Sequence, residues 1–328
     1  EPAAPPKALA IGSQGSLQFS ALVQAWWFLQ KVEDKTNENL FRIRRTEMKL
    51  KGDIVPKKLS FDVMIDPAQV VEKDAGTAVS VKNTVTAADG STTYVTSTGS
   101  LPLPKRFSIL QDASITCKHE WVELSIGQFK IPVSMEGYGS SSKLILPDRA
   151  MVSKKLGDKR DIGIRFAKAF PMFGYTLGVY NGAGQNTKDT DDAKDVALRL
   201  EGYPVSGVTG AAVYYTTLGG DGKGSQTEKQ VIEIDVKVEL AGALFQGEFI
   251  TGSDETKGVK TKPQGYYALA GYTISDFQPV IRLGALDPNT DSAAKEDDGT
   301  QIEAGVNYYI PGLKQHEAKI QLAGGLIG

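Results

Sequence analysis

Two histidines, His119 and His316, and one cysteine, Cys117, are the whole supply of imidazole and thiol in this chain of 328 residues. A serine nucleophile needs a base held beside it, and both histidines fall in short connections, far apart. Zinc needs three or four closely spaced ligands, which this set does not supply. The acidic runs 189–195 and 287–298 could bind calcium through carboxylates. They lack the glycine-and-glutamate frame of a calcium loop, so they read as solvated loops. Gly219-Gly220-Asp221-Gly222-Lys223-Gly224 has the composition of a phosphate loop. It joins two strands, however, and no helix N-terminus follows to receive the phosphate. No enzyme chemistry, no metal and no cofactor is expected.

The chemistry that does recur is charge at every second position. Arg42 and Arg44 alternate with Phe41 and Ile43, and Arg165 with Ile164 and Phe166. Glu233, Asp235, Lys237 and Glu239 alternate with Ile232, Ile234, Val236 and Val238. A row of charges along one strand face acts on a passing ion through its field, which low-dielectric walls focus.

The elements that carry these rows are strands of period two. One such segment could belong to a soluble sandwich with its apolar face in a core. The connections point elsewhere, because they alternate short and long. Short ones lie near residues 54–57, 118–120, 171–174, 205–209, 241–242, 275–277 and 311–316. Long hydrophilic ones lie near 32–38, 67–106, 132–159, 182–194, 219–229, 253–262 and 287–300. Tight turns at one rim and long loops at the other are the layout of an outer-membrane barrel. No apolar run is long enough for a membrane helix; the richest, residues 21–29, is broken by Gln24. The fold class expected is all-β, a transmembrane antiparallel barrel of about 16 strands. Fifteen strands can be counted, and an even number is the rule for such barrels, so a last strand is expected to be missing from the sequence in hand.

Residues 1–14 are expected to form a periplasmic extension left after signal-peptide removal, and residues 15–328 the barrel. Residues 67–106 are a long insertion, able to form an extra hairpin or a subunit latch. Trp26, Trp27, Phe28, Tyr308 and Tyr309 suit an interfacial girdle. Cys117 shares parity with Ala113 and Ile115 and should face lipid or a neighbouring subunit. Lys plus Arg (37) nearly balances Asp plus Glu (39), which argues against nucleic acid as a partner.

Parity places Arg42, Arg44, Lys49, Lys51, Arg165 and Arg282 on the water side. The shift of parity after Arg45 calls for a β-bulge near Arg45–Thr46. Lys130 has lipid-facing parity, so either the strand bulges at Gly127 or, the preferred reading, Lys130 sits above the membrane at the pore mouth. Residues 133–159 are the candidate constriction loop, with Glu136, Tyr138, Lys143, Arg149 and Lys154 in it. Its polar composition would let it be satisfied by water and wall side chains.

The segments Phe41-Arg42-Ile43-Arg44-Arg45, Ser125-Ile126-Gly127-Gln128-Phe129-Lys130-Ile131-Pro132, Lys159-Arg160-Asp161-Ile162-Gly163-Ile164 and Gly178-Val179-Tyr180-Asn181-Gly182 occur in this order. In order and spacing, across residues 15–205, the chain resembles the phosphate-selective porin O and P family. The resemblance implies a sixteen-stranded barrel, usually a homotrimer, with an inward third loop. It also implies anion preference from basic residues lining the channel.

This sequence departs from an uninterrupted basic ladder. Inward Arg42, Arg44, Lys49, Lys51, Arg165, Arg199, Lys237, Arg282 and Lys319 are nearly cancelled by Glu47, Asp62, Asp66, Asp112, Asp161, Glu201, Glu233, Asp235, Glu239, Glu248 and Glu303. The expectation is therefore an outer-membrane porin for passive diffusion of small hydrophilic solutes, with weak anion or phosphate preference. Its partners would be outer-membrane lipid, lipopolysaccharide, two further copies of itself, and small ions or anions as permeants. Two alternatives stay open: a non-conducting barrel acting as anchor or receptor through its loops, and a soluble β-sandwich.

Overall fold

A computed structural model describes residues 9–11, 15–30, 38–71, 78–86, 92–100, 109–219, 227–256, 259–292, 299–313 and 317–327. The strands are β1 (Leu9–Ile11), β2 (Gly15–Gln30), β3 (Glu38–Val55), β4 (Leu59–Ile65), β5 (Ala78–Thr86), β6 (Thr92–Ser100) and β7 (Leu110–Lys118). They continue with β8 (Glu123–Lys130), β9 (Arg160–Ala169), β10 (Phe173–Tyr180), β11 (Lys194–Gly202), β12 (Val208–Leu218) and β13 (Thr227–Leu240). The last six are β14 (Ala243–Thr256), β15 (Val259–Thr261), β16 (Gln264–Tyr272), β17 (Phe277–Asp287), β18 (Gly299–Tyr309) and β19 (Lys319–Ile327). All but β5 and β6 belong to one sheet.

The fifteen long strands of that sheet fall where alternation predicts them. The strands of that sheet that the sequence did not signal are β1 and the short β15, which pairs with the end of β14 inside the expected loop 253–262. Strand β1 lies within the segment expected to be an extension, and pairs antiparallel with the start of β2 from Leu9↔Leu17 to Ile11↔Gly15. The further strand expected beyond residue 328 concerns residues outside the chain.

The chain divides into two compact units: residues 1–19, 50–63 and 111–328, and residues 20–49 and 64–110. In the first, β7 to β14 pair antiparallel in chain order, followed by β14 with β16 and then β16 to β19. The burial pattern decides the environment of this sheet. Along β13, Glu233 and Asp235 are 0% and 7% exposed, whereas Ile232 and Ile234 are 49% and 58% exposed. Leu198, Leu200, Phe245, Ile281, Leu283, Ile302 and Val306 are exposed in the same way. A protein surrounded by water buries its aliphatics and exposes its carboxylates. The inverse arrangement belongs in hydrocarbon, and most strands are long enough to cross it.

The short connections are tight turns. Ala241 and Gly242 join β13 to β14 with φ of 49° and 83°, the two left-handed residues of a type I′ hairpin, which matches the strand twist. A side chain at Gly242 would stand 3.1 Å from the Thr273 carbonyl. Gly242→Val is expected to cost about 1–2 kcal/mol, read as a lower urea midpoint for unfolding in detergent. At this rim Phe170 stacks on Phe173 at 4.8 Å, Trp121 lies 6.0 Å from Phe170, and Phe277 meets Tyr308 at 4.9 Å. Tyr309 does not join this girdle: it is 7% exposed, and its hydroxyl donates to Gln278 on the opposite face. Cys117 is exposed, in phase with Ile115.

The second unit holds most of β2 and β3, a helical turn at Ala68–Val71, and the hairpin β5–β6, in register from Ala78↔Ser100 to Thr86↔Thr92. This hairpin occupies the 67–106 insertion, whose residues 72–77, 87–91 and 101–108 lie outside the described residues. On β3, Phe41 and Ile43 are exposed, Arg45 is buried, and Met48 is exposed again, so the parity shift occurs where expected. There the Thr46 N–H donates to Asp66 Oδ1 at 2.8 Å, a side-chain partner in place of a ladder carbonyl. Trp27 is exposed and stacks on Phe41 at 6.2 Å. Trp26 is no girdle residue, since the Arg42 guanidinium lies 4.7 Å from its ring on the other face. The Phe28 side chain and His316 lie outside the described residues.

Candidate functional site

The loop expected to form a constriction leaves β8 at Lys130 and rejoins the sheet at β9. Its base is closed by the Ile131 N–H donating to the Lys159 carbonyl at 3.0 Å. Lys130 Nζ donates to the carbonyls of Gly137 and Gly139, both at 2.6 Å, and its ammonium lies 3.7 Å from Asp158. Expected at a pore mouth, Lys130 is engaged in fastening the loop. The pairing of β8 with β7 runs unbroken through Gly127, so no bulge accounts for its position.

After Pro132 the chain turns along the inner face of β13 to β19. Ser134 caps the short helix Met135–Tyr138 by accepting from the Gly137 N–H. Glu233 accepts the Ser134 N–H at 2.6 Å. Glu248 accepts the Met135 N–H at 2.8 Å, the Ser134 hydroxyl at 3.0 Å and the Ser153 hydroxyl at 2.9 Å.

Beyond the helix, Glu136 accepts the Ala150 N–H at 2.7 Å and lies 3.3 Å from Arg282. Burial pushes the Glu136 carboxyl above the usual range, and the Arg282 guanidinium and the Ala150 N–H oppose that push. Arg282 also binds Glu303 and the Asp148 carbonyl, and it is 0% exposed. Arg149, 3% exposed, pairs with Asp158 at 3.0 Å and donates to the Glu136 carbonyl. Arg282, expected along a permeation path, is thus covered by the loop; Glu136 points into the loop–wall contact, and Arg149 points back into the loop itself. The reason is the desolvation cost of isolated charge: a loop laid on a charged wall must pair what it covers.

The far leg is held by backbone groups. Asn307 and Gln321 both donate to the Ile145 carbonyl, at 2.9 and 2.8 Å, and Lys319 donates to that of Leu144. Gln301 accepts the Met151 N–H at 2.9 Å.

Between these contacts the loop is greasy, contrary to the polar packing expected. Ile145, Leu146, Ala150, Val152 and Leu156 form one core with Leu244, Ile250, Tyr267, Leu269, Val280 and Leu286 of the wall. A sequence signal for this existed. Strands β14, β16 and β17 carry apolar residues at both parities, as in Tyr266-Tyr267-Ala268-Leu269-Ala270, and a strand apolar on both faces is covered on both.

The charged residues that this packing leaves exposed on the loop are all lysines: Lys143, Lys154, Lys155 and Lys159. Lys154 pairs with Asp148 at 2.8 Å and keeps half its side chain exposed. Lys159 lines a polar cavity of about 230 Å³ with Lys229, Asp161 and Asp195. Although the Lys159 side chain meets solvent, the protein that surrounds it partly desolvates the ammonium and lowers it from its ordinary value, and the neighbouring Lys229 lowers it further.

On the wall, Arg199 is spent on Glu201, Glu233 and Asp235 and lies over the Tyr138 ring at 5.9 Å. Arg165 lies over Phe129 at 4.5 Å and reaches Ser125 at 3.3 Å. Lys51 is 3.5 Å from Asp62. In the second unit Arg42 and Arg44 share the Trp26 face, at 4.7 and 5.6 Å, and Lys49 is half-buried. Ser134, Ser153, Asn307 and Gln321 went unidentified from sequence; nothing local marks them, since their partners are remote in the chain. The Gly-rich segment 220–226 lies outside the described residues.

The family described as "Phosphate-selective porin O and P" matches residues 23–243, more than half the chain. The chain belongs to this porin family. A comparison with curated proteins found no match. Among solved structures, this porin is similar to OmpT of Vibrio cholerae in its trimer form, with a TM-score of 0.61 and 12% identity over 96% of this chain and 89% of that one. It is also similar to the outer-membrane channel DcaP of Acinetobacter baumannii, with a TM-score of 0.57 and 11% identity over 97% and 92%. A porin refined at 1.8 Å gives a TM-score of 0.55 and 10% identity over 96% and 94%. The fold is the antiparallel transmembrane β-barrel of these outer-membrane proteins, and the family places the chain in the bacterial outer membrane.

Proposed function

We propose that this porin is a passive diffusion channel for small hydrophilic solutes, narrowed by the loop 133–159 and weakly selective for anions. The observation that carries the anion preference is the sorting of charge on the loop. Its carboxylates Glu136, Asp148 and Asp158 are each tied to a cation, and the charges facing solvent are Lys143, Lys155 and Lys159, with Lys154 half exposed beside Asp148. The segment carries five cations against three carboxylates. The covered wall cations Arg199 and Arg282 are held by carboxylates, so a permeant meets the loop lysines first, and Arg165 after them. Such a field favours anions without committing to phosphate. OmpT in its trimer form supports a homotrimeric assembly, bathed by outer-membrane lipid and lipopolysaccharide. Transport down a gradient assigns no catalytic group and no cofactor.

In a planar bilayer under a potassium chloride gradient, the reversal potential is expected to show chloride preference. Changing Lys143, Lys154, Lys155 and Lys159 to Glu is expected to invert its sign. Silent bilayers would favour the anchor or receptor reading; cation preference in the unaltered protein would remove the anion reading.

A further inference from the structure

Glu248 differs in its partners from three other carboxylates of the same wall. Glu233, Asp235 and Glu303 face arginines, whereas no ion pair of Glu248 occurs among the described residues. All of its bonds go to the loop, and they come from both legs. Oε2 takes the Met135 N–H and the Ser134 hydroxyl, and Oε1 takes the Ser153 hydroxyl. Ser134 also has a φ of 69°, a left-handed backbone that a non-glycine residue keeps only when its surroundings hold it. Its amide and hydroxyl are held by Glu233 and Glu248, both buried.

We propose that Glu248 is the positioning residue that sets the aperture of this channel, by tying the two legs of the loop to a single point on β14. The proposal rests on the reading that residues 133–159 narrow a conducting pore. Its effect is on size, and so it should appear with solutes that carry no charge.

The test measures single-channel conductance together with liposome swelling in neutral sugars of graded size. Glu248→Ala is expected to raise conductance by roughly half or more, because the constriction dominates the resistance, and to admit larger sugars. The pair Ser134→Ala with Ser153→Ala keeps every wall charge and is expected to move the cut-off the same way. Glu248→Gln keeps an acceptor for the helix end and lets Ser153 accept in turn, so its cut-off should match the unaltered protein. Glu239→Gln, whose carboxylate pairs with Lys237 away from the loop, removes the same charge and should leave the cut-off alone.

An unchanged sugar cut-off in both Glu248→Ala and the serine pair overturns the proposal. So does a Glu248→Gln cut-off equal to that of Glu248→Ala, which would make charge the cause. If Glu248→Ala loses heat-modifiable mobility, the serine pair decides alone. Absence of conductance in the unaltered protein would instead defeat the channel reading.

Discussion

Arg282→Met is expected to destabilise the protein by about 3–5 kcal/mol, the cost of leaving buried carboxylates without their cation. The guanidinium joins three groups: Glu136 of the loop, Glu303 of β18 and the Asp148 carbonyl. Methionine fills the volume and supplies none of the bonds. The measurement is urea unfolding in detergent, with trypsin cleavage after Lys143 and Lys154 reporting the loop itself.

The deficit should depend on pH in a fixed direction. Burial already raises the Glu136 carboxyl and Arg282 opposes this, so removing Arg282 raises it further. A carboxyl raised in the folded state binds its proton more tightly there than in the unfolded chain. Its folded form is therefore favoured at low pH, and stability is lost as pH rises through the raised value. The variant is expected to approach the unaltered protein below the ordinary glutamate range and to diverge from it toward neutrality. A deficit independent of pH would refute this account.

Leu146→Ala is expected to cost about 2–5 kcal/mol through the cavity left between loop and wall. Leu146 is 1% exposed, in one core with Leu269 and Val280. The comparison that gives this meaning is Ile234→Ala. Ile234 is 58% exposed on the lipid side, where detergent or acyl chains take up the lost volume, so the change should cost less than about 1 kcal/mol. Equal losses at the two sites would mean that the loop core is not dry. Hydrogen exchange at residues 144–152 should quicken in Leu146→Ala alone.

The strand pattern was legible because a membrane wall imposes period two on every segment separately: Ile232 against Glu233 is a local choice. Turn positions were legible for the same reason, as Ala241-Gly242 shows. The candidate site was legible in part. Loop length and composition identified residues 133–159, and parity identified Arg165 and Arg282 as facing away from lipid. Parity put Trp27 on the outward face, but it could not say that Arg282 would lie beneath the loop, nor that Trp26 would lie against Arg42 and Arg44.

The sequence by itself determined the sheet, its faces, its turns and the loop that leaves it, because each is set by interactions between neighbours or with the surrounding solvent. Tertiary structure alone decided which charges remain available. Ser134 and Glu248, or Glu136 and Arg282, are more than a hundred residues apart, and nothing local predicts their pairing. Whether a charge acts on a permeant or holds the wall together depends on that pairing, since a buried ion must find a partner and an exposed one need not.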